Sequence, residues 1–283
     1  MRRSPTVAGL FYPADEGTCR RQVLQCLQDA ELFEESQPIL GGMVPHAGFT
    51  YSGPTAGRVF AALSQQALPE TIVLFGAVHS WGVSIPSMFG SGSWRTPLGD
   101  LLIDEELAQE IGGDLIADRP QAHAGEHSIE VQTPFIAHLF PHARILPIAV
   151  PPTDSSPQIG REVARAVRKL GRRAPALGSS DMTHYGPRYG FTPVGIGDKA
   201  LQWVRRNDAR FLDLVVAMCA EELVNEAETH YNACGSGAIA AMVAYAAELG
   251  ATQGKLLHYT TSHEVLPMGP PTDMVGYGAV VLF

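Results

Sequence analysis

Three stretches of the chain run from an apolar segment into a histidine: Ile39 to Pro45 before His46, Thr71 to Val78 before His79, and Pro175 to Thr183 before His184. In an open α/β sheet the loops past the carboxyl ends of the strands converge on one crevice, so such histidines can be neighbours in space. Imidazoles gathered this way are the usual material of a metal site. Cys234, in Asn232-Ala233-Cys234-Gly235-Ser236-Gly237, precedes an apolar run from Ala238 to Leu249. A helix beginning there would face the thiol with the positive end of its dipole, favouring thiolate, a ligand or nucleophile. Asp181 stands three residues before His184, where a carboxylate can fix a tautomer and raise basicity or simply cap a turn. In Glu126-His127-Ser128-Ile129-Glu130, a helical reading puts the two carboxylates on one face, with His127 beside Glu130. That pair could hold a metal or form a polar first turn. His123, His138, His142, His230, His258 and His263 carry no metal role in this reading, and His138 and His142 are expected at the surface.

The elements that must position these groups are legible in outline. Ser156 is a candidate helix cap with Pro157 at the first position; Ile159, Val163, Val167 and Leu170 form an apolar stripe that Gly171 ends. Asp104 opens a shorter helix ended by Gly112-Gly113, and Leu201, Val204, Phe211 and Val215 mark a third. Gly82 to Ile103 lacks helical period and reads as extended hairpins beside the second strand. Arg144 to Val150, Lys255 to His263 and Val275 to Phe283 read as further strands. Strands alternating with helices imply α/β architecture: a three-layer sandwich around a mainly parallel, locally mixed sheet. No repeat or linker interrupts residues 1–283, so one domain is expected.

Charged residues are 17% of the 283, below the usual ~25%, and apolar ones 45%, so a well-covered core is expected. A net charge of −9 leaves no basic surplus to neutralise phosphates, which argues against a nucleic-acid partner. Met1-Arg2-Arg3 is not followed by the apolar segment of a secretory signal. The run from Ala238 to Leu249 is too short for a membrane span of ~20 residues. The four cysteines form no CxxC, which fits a reducing cytosol. A soluble, cytoplasmic protein is expected.

Further short motifs share the order and spacing of these: Ala8-Gly9-Leu10-Phe11-Tyr12-Pro13, Pro45-His46-Ala47-Gly48 with Tyr51-Ser52-Gly53, and Trp94-Arg95-Thr96-Pro97-Leu98-Gly99. With Glu126 to Glu130, Ser179-Ser180-Asp181, His184-Tyr185-Gly186 and Cys234-Gly235, the chain resembles the Memo family over nearly its whole length. In prokaryotes this family is called AmmeMemoRadiSam system protein B. Its fold is similar to that of class III extradiol ring-cleaving dioxygenases, non-haem Fe(II) enzymes. The resemblance implies that His46 and His79 are metal ligands, that Cys234 stands near the carboxylate ligand of those enzymes, and that His184 is the acid/base group beside Asp181. A thiolate in place of a carboxylate shifts preference towards softer ions such as Cu(I) or zinc.

Three readings follow. The first is a redox metal site holding iron or copper, with dioxygenase-like chemistry and an unknown small molecule in the crevice. Tyr51, Trp81 and Tyr185 could line its pocket, with Glu126, His127 and Glu130 around the ligands. The second is zinc-assisted hydrolysis with Glu126 or Glu130 as base. The third is a non-enzymatic module that binds a peptide or protein in the crevice around a relic or regulatory metal. The resemblance also implies partners in a radical-SAM pathway.

Overall fold

A computed structural model describes residues 1–28, 30–35, 37–80, 82–113 and 115–283. Trp81, expected in the pocket, lies outside the described residues. The first half of the chain forms β1 (Arg2–Arg3), α1 (Glu16–Leu27), β2 (Gly41–Val44), α2 (Phe49–Ser64), β3 (Thr71–Gly76), β4 (Ser87–Met88), β5 (Ser93–Thr96), β6 (Gly99–Leu102), α3 (Glu105–Ile111), β7 (Ala117–Asp118) and α4 (Thr133–Leu139). The second half forms β8 (Arg144–Ala149), α5 (Ser156–Leu170), β9 (Ala176–Ser179), β10 (His184–Tyr185), α6 (Asp198–Val216), α7 (Leu223–His230), α8 (Ser236–Leu249), β11 (Gly254–Thr261), α9 (Ser262–Val265) and β12 (Met274–Leu282).

The centre of the main sheet is parallel, in the order β2-β9-β3-β8. Antiparallel β12 extends it on the β2 side and carries β11 and β10, while antiparallel β4 extends it beyond β8. The central strands are buried throughout except for Arg144 at the start of β8, as expected where helices cover both faces of a parallel sheet. Adjacent glycines in β2 mark the two faces. A Cβ on Gly41 would meet Met242 of α8 at 2.8 Å, and one on Gly42 would meet Val59 of α2 at 2.7 Å. Alternation along one strand thus puts α8 on one side and α2 on the other. Helices α1, α2 and α4 pack together on one face, and α3, α5, α7 and α8 on the other.

Local signals mostly act where the sequence puts them. Asp104 caps α3 by accepting the Leu107 N–H at 3.1 Å. Ile159, Val163 and Val167 are buried on α5, which Gly171 ends in the left-handed region at φ 65°. The cap of α5 is one residue earlier than expected: Ser155 holds that position, and the Ser156 hydroxyl donates instead to the Pro151 carbonyl. Gly82 to Ile103 does contain a hairpin, β5–β6, but it pairs with β1 in a separate three-stranded sheet. Its neighbour β4 joins the main sheet against β8, not against β3. Among the described residues no helix is long and apolar enough to cross a membrane.

Candidate metal centre

The chain leaves β2 at Pro45, which has no N–H to continue a ladder, and the next residue is His46, 2% exposed. Asp181, just past β9, holds this corner: its Oδ1 accepts the backbone N–H groups of His46 (2.7 Å) and Ala47 (3.2 Å). The His46 ring is oriented by Ser179, whose Oγ lies 3.0 Å from Nδ1. That hydroxyl already donates to the Ser128 carbonyl, so it receives the Nδ1–H and leaves the Nε2 lone pair free.

His79 is set the same way from β3. Glu126 accepts its backbone N–H at 2.7 Å, and Glu126 Oε1 lies 3.1 Å from its Nδ1. The same carboxylate accepts the backbone N–H groups of His127 and Ser128 at 2.9 Å each. Residues 126–129 are therefore a loop wrapped around one buried carboxylate, not the helical turn expected; a 3₁₀ turn begins only at Glu130. Glu126 and Glu130 consequently share no face. Glu130 points to the amino terminus, where it accepts from Thr6, Val7 and Tyr12 and pairs with Arg3 at 2.8 Å.

This loop carries His127 into the site. The ring centroids of His46, His79 and His127 are 4.9 to 5.4 Å apart, and one ligand nitrogen from each lies within 4.8 Å of the others. Two nitrogens bound about 2.1 Å from one ion sit roughly 3–4 Å apart, so small ring adjustments complete a three-histidine set. Cys234 joins from the loop before α8, its Sγ 3.2 Å from His46 Nε2. Nitrogen and sulfur this close, backed by oriented acceptors, fit a borderline or soft cation.

The electrostatics agree. Burial holds His46 well below the ordinary histidine range, with the charges of His79 and His127 adding to the effect. Burial, then His79, also lowers His127. Burial opposes protonation of His79 too, but hydrogen bonds to Cys234 and Glu126 outweigh it and push the group up to about 10. Burial would raise Glu126, yet its bonds to His79 hold it well below the usual carboxylate range. Of the three imidazoles, His79 is thus the one whose protonated form the site favours, through its bonds to Cys234 and Glu126.

His184 occupies β10 at the mouth, its Nδ1 3.1 Å from the Met182 carbonyl, so its Nε2 is also the free nitrogen. No hydrogen bond joins Asp181 to His184, contrary to expectation: the Asp181 Oδ1 holds the His46 corner and His184 Nδ1 is held by Met182. Burial raises Asp181 to about 7 and lowers His184. A crevice of about 570 Å³ opens over the histidines, with Phe11, Tyr51, His184, Arg188, Tyr189 and Met268 among its walls. A second opening of about 600 Å³ reaches Cys234 and the other side of His184, past Phe191 and Tyr231.

Tyr51 lines the crevice as expected, whereas Tyr185 does not. It is fully buried, its hydroxyl donates to the Gly195 carbonyl, and its ring lies against Trp203. Successive residues of a strand face opposite ways, so His184 in the crevice sends Tyr185 inward. Tyr189 takes the aromatic place, with its ring 5.2 Å from that of His184. His263, given no role, lines the same crevice. Sequence reasoning also missed Ser179 and Gln132. Ser179 follows three strand residues and is visible in retrospect as the last inward position of β9; no signal marked Gln132, which donates to Ser179 and to the Pro45 carbonyl.

A family model described as "Memo-like protein" matches residues 3–281. A MEMO1 family protein of Methanococcoides burtonii is 36% identical over 284 residues, covering 99% of each chain. Another, from Pyrococcus abyssi, is 38% identical over 296 residues, covering 100% of this chain and 99% of the relative. Among solved structures, an uncharacterized protein of Escherichia coli K12 aligns with a TM-score of 0.50 at 12% identity, over 84% of this chain and 99% of that one, a likeness of fold alone. With the match running essentially from end to end, the chain belongs to the Memo family.

Proposed function

We propose that this protein is a metal-dependent oxidoreductase that holds iron or copper on His46, His79 and His127, with Cys234 as the further ligand. The observation that carries this reading is the His46–Cys234 contact inside a three-histidine cluster in which the His46 and His79 rings are oriented for binding. The bound metal would supply redox chemistry at the floor of the crevice. Glu126 and Ser179 would keep two of the imidazoles in the ligating tautomer. His184, lowered by burial and with its Nδ1–H committed to Met182, presents a neutral Nε2 that can take a proton from a substrate hydroxyl. Tyr51 and Tyr189 would flank a small substrate in the crevice. Four free thiols fit a reducing, cytoplasmic setting.

Zinc-assisted hydrolysis loses its base in this arrangement. Glu126 accepts three backbone N–H groups and the His79 ring, and Glu130 is bound to Arg3, Thr6, Val7 and Tyr12, so neither carboxylate is free to activate water. A binding-module reading draws support from Met268, a wall of the crevice that is 78% exposed.

Elemental analysis tests the proposal, using protein purified anaerobically without chelator beside a His46→Ala/His79→Ala variant. Near-stoichiometric iron or copper, lost in the variant, is the expected result. Zinc in that pattern would reopen hydrolysis. No metal after reconstitution with each ion would leave the binding module.

A further inference from the structure

A separate cavity, of about 300 Å³, lies at the opposite end of the sheet from the histidines. It is enclosed by the segments entering β2 (Ile39, Leu40) and β9 (Ala174, Pro175), by Ile72 of β3, and by the carboxyl ends of α2 and α8. Its walls belong to the core: Ile39, Leu63, Ile72 and Phe140 are each at most 5% exposed. Protein interiors seldom leave a void larger than a water molecule, and apolar cavities stay dry and take apolar ligands. A space of ~150 Å³ holds benzene, so this one accommodates about ten to twelve non-hydrogen atoms.

The mouth has a definite chemistry. Gln66, Arg172 and Arg173 are the polar residues around it. Arg172 is already compensated, by an ion pair with Glu106 and by Asp104 3.6 Å from its Nε. Arg173 is not. Its backbone N–H donates to Glu70 at 2.9 Å and its Nε to the Leu68 carbonyl at 3.2 Å, but among the described residues no carboxylate lies within ion-pair distance of the guanidinium itself. The partial negative charges of the helix ends nearby, about half a unit each, attract an arginine pair but leave a guanidinium's two terminal amino groups free to fork onto a carboxylate.

We propose that this cavity binds a medium-chain monocarboxylate, with its alkyl chain among Ile39, Leu63, Ile72 and Phe140 and its carboxylate on Arg173. The site is independent of the metal centre, which lies at the other ends of the same strands. Octanoate, with ten non-hydrogen atoms, is the probe, with octanol and octylamine as controls. Titration calorimetry on the full chain is paired with NMR of the isoleucine methyl groups. Octanoate is expected to bind with a Kd in the millimolar range or tighter, as its size allows, shifting the Ile39 and Ile72 methyls. Octanol should bind about tenfold more weakly and octylamine more weakly still, since one charge-assisted pair is worth about that factor.

Two variants locate the ligand without touching the core, because Arg173 and Ala67 are both exposed. Arg173→Gln should weaken octanoate about tenfold and leave octanol unchanged. Ala67→Trp, which places a ring across the mouth, should abolish binding of both while metal content stays at the parental value. Equal affinity for octanoate and octanol, an unaltered affinity in Arg173→Gln, shifts confined to the histidine crevice, or no binding of octanoate at all would each overturn the proposal.

Discussion

Which nitrogen of His46 is free depends on one hydroxyl. Ser179 gives its proton to the Ser128 carbonyl and therefore accepts from His46 Nδ1, so the ring presents Nε2 to Cys234. Ser179→Ala removes that instruction without emptying the site. It should weaken metal binding about 10-fold or more, the usual effect of losing a group that orients a ligand, while saturating stoichiometry is retained. Competition against a chromogenic chelator reads both. Cys234→Ser is the sharper case. If the thiolate is a ligand, affinity should fall at least 10–100-fold with the far-ultraviolet dichroism unchanged, since the residue lies in a half-buried loop before α8. An unchanged affinity would remove the cysteine from the ligand set. His127 shows why single residues are harder to read in sequence than sites are. Its neighbour Glu126 satisfies four donors at once and so draws residues 126–129 into a tight loop. Nothing in Glu-His-Ser-Ile-Glu distinguishes that loop from a helical turn, because two of the four donors come from His79, 47 residues away.

Elements hold these residues through contacts with little slack. On α5, Gly160 faces the Ala241 carbonyl of α8, where a Cβ would collide with backbone. Gly160→Ala should therefore destabilise the fold by about 3 kcal/mol, because neither helix can retreat from a packed sheet. Urea denaturation gives the value; a loss below about 1 kcal/mol would mean that the helices can separate freely. The loop bearing Asp181 and His184 is held differently, by Asp208 of α6. That carboxylate accepts from Thr183 at 3.0 Å through the backbone N–H and also binds the Tyr259 hydroxyl of β11 at 2.7 Å. Burial, against these hydrogen bonds, raises Asp208 to about 7. The unfolded chain releases this proton near pH ~3.9, so between there and about 7 the native state holds a proton the unfolded state has lost. Stability contributed by Asp208 is thus full below about pH 4 and declines as pH rises through 7. Asp181 shifts the same way for the same reason. Asp208→Asn, which cannot ionise, should remove this group's share of the decline, up to ~1.4 kcal/mol per pH unit between about pH 4 and 7. Denaturation at pH 5, 6, 7 and 8 decides it; parallel curves for parent and variant would place the titration elsewhere.

At the scale of the molecule, the legible part of the fold was the part with period and punctuation. Continuous apolar runs gave β2, β3, β8, β9 and β12, and the stripe of Ile159, Val163 and Val167 gave α5. Two-residue strands such as β4 and β10 carry no such signal, since a long neighbour supplies their partners, and β7 in turn pairs with β4. The convergence of His46, His79 and His184 followed from the rule that parallel strands end together, and the distance between them in sequence was no obstacle. The same rule has a thermodynamic consequence. The candidate ligands come from the ends of β2 and β3, from the 126–130 loop and from the loop before α8, segments that only the folded sheet brings together. An ion bound there recognises the native state and not the unfolded chain, so binding must add to global stability. Free metal at 100 times its Kd should raise the unfolding free energy by about 2.7 kcal/mol, observed as an upward shift of several degrees in Tm. The His46→Ala/His79→Ala variant should show no such shift. Calorimetric scans of parent and variant, each with chelator and with iron or copper, separate a site built from the whole fold from adventitious surface binding, which would move both proteins alike.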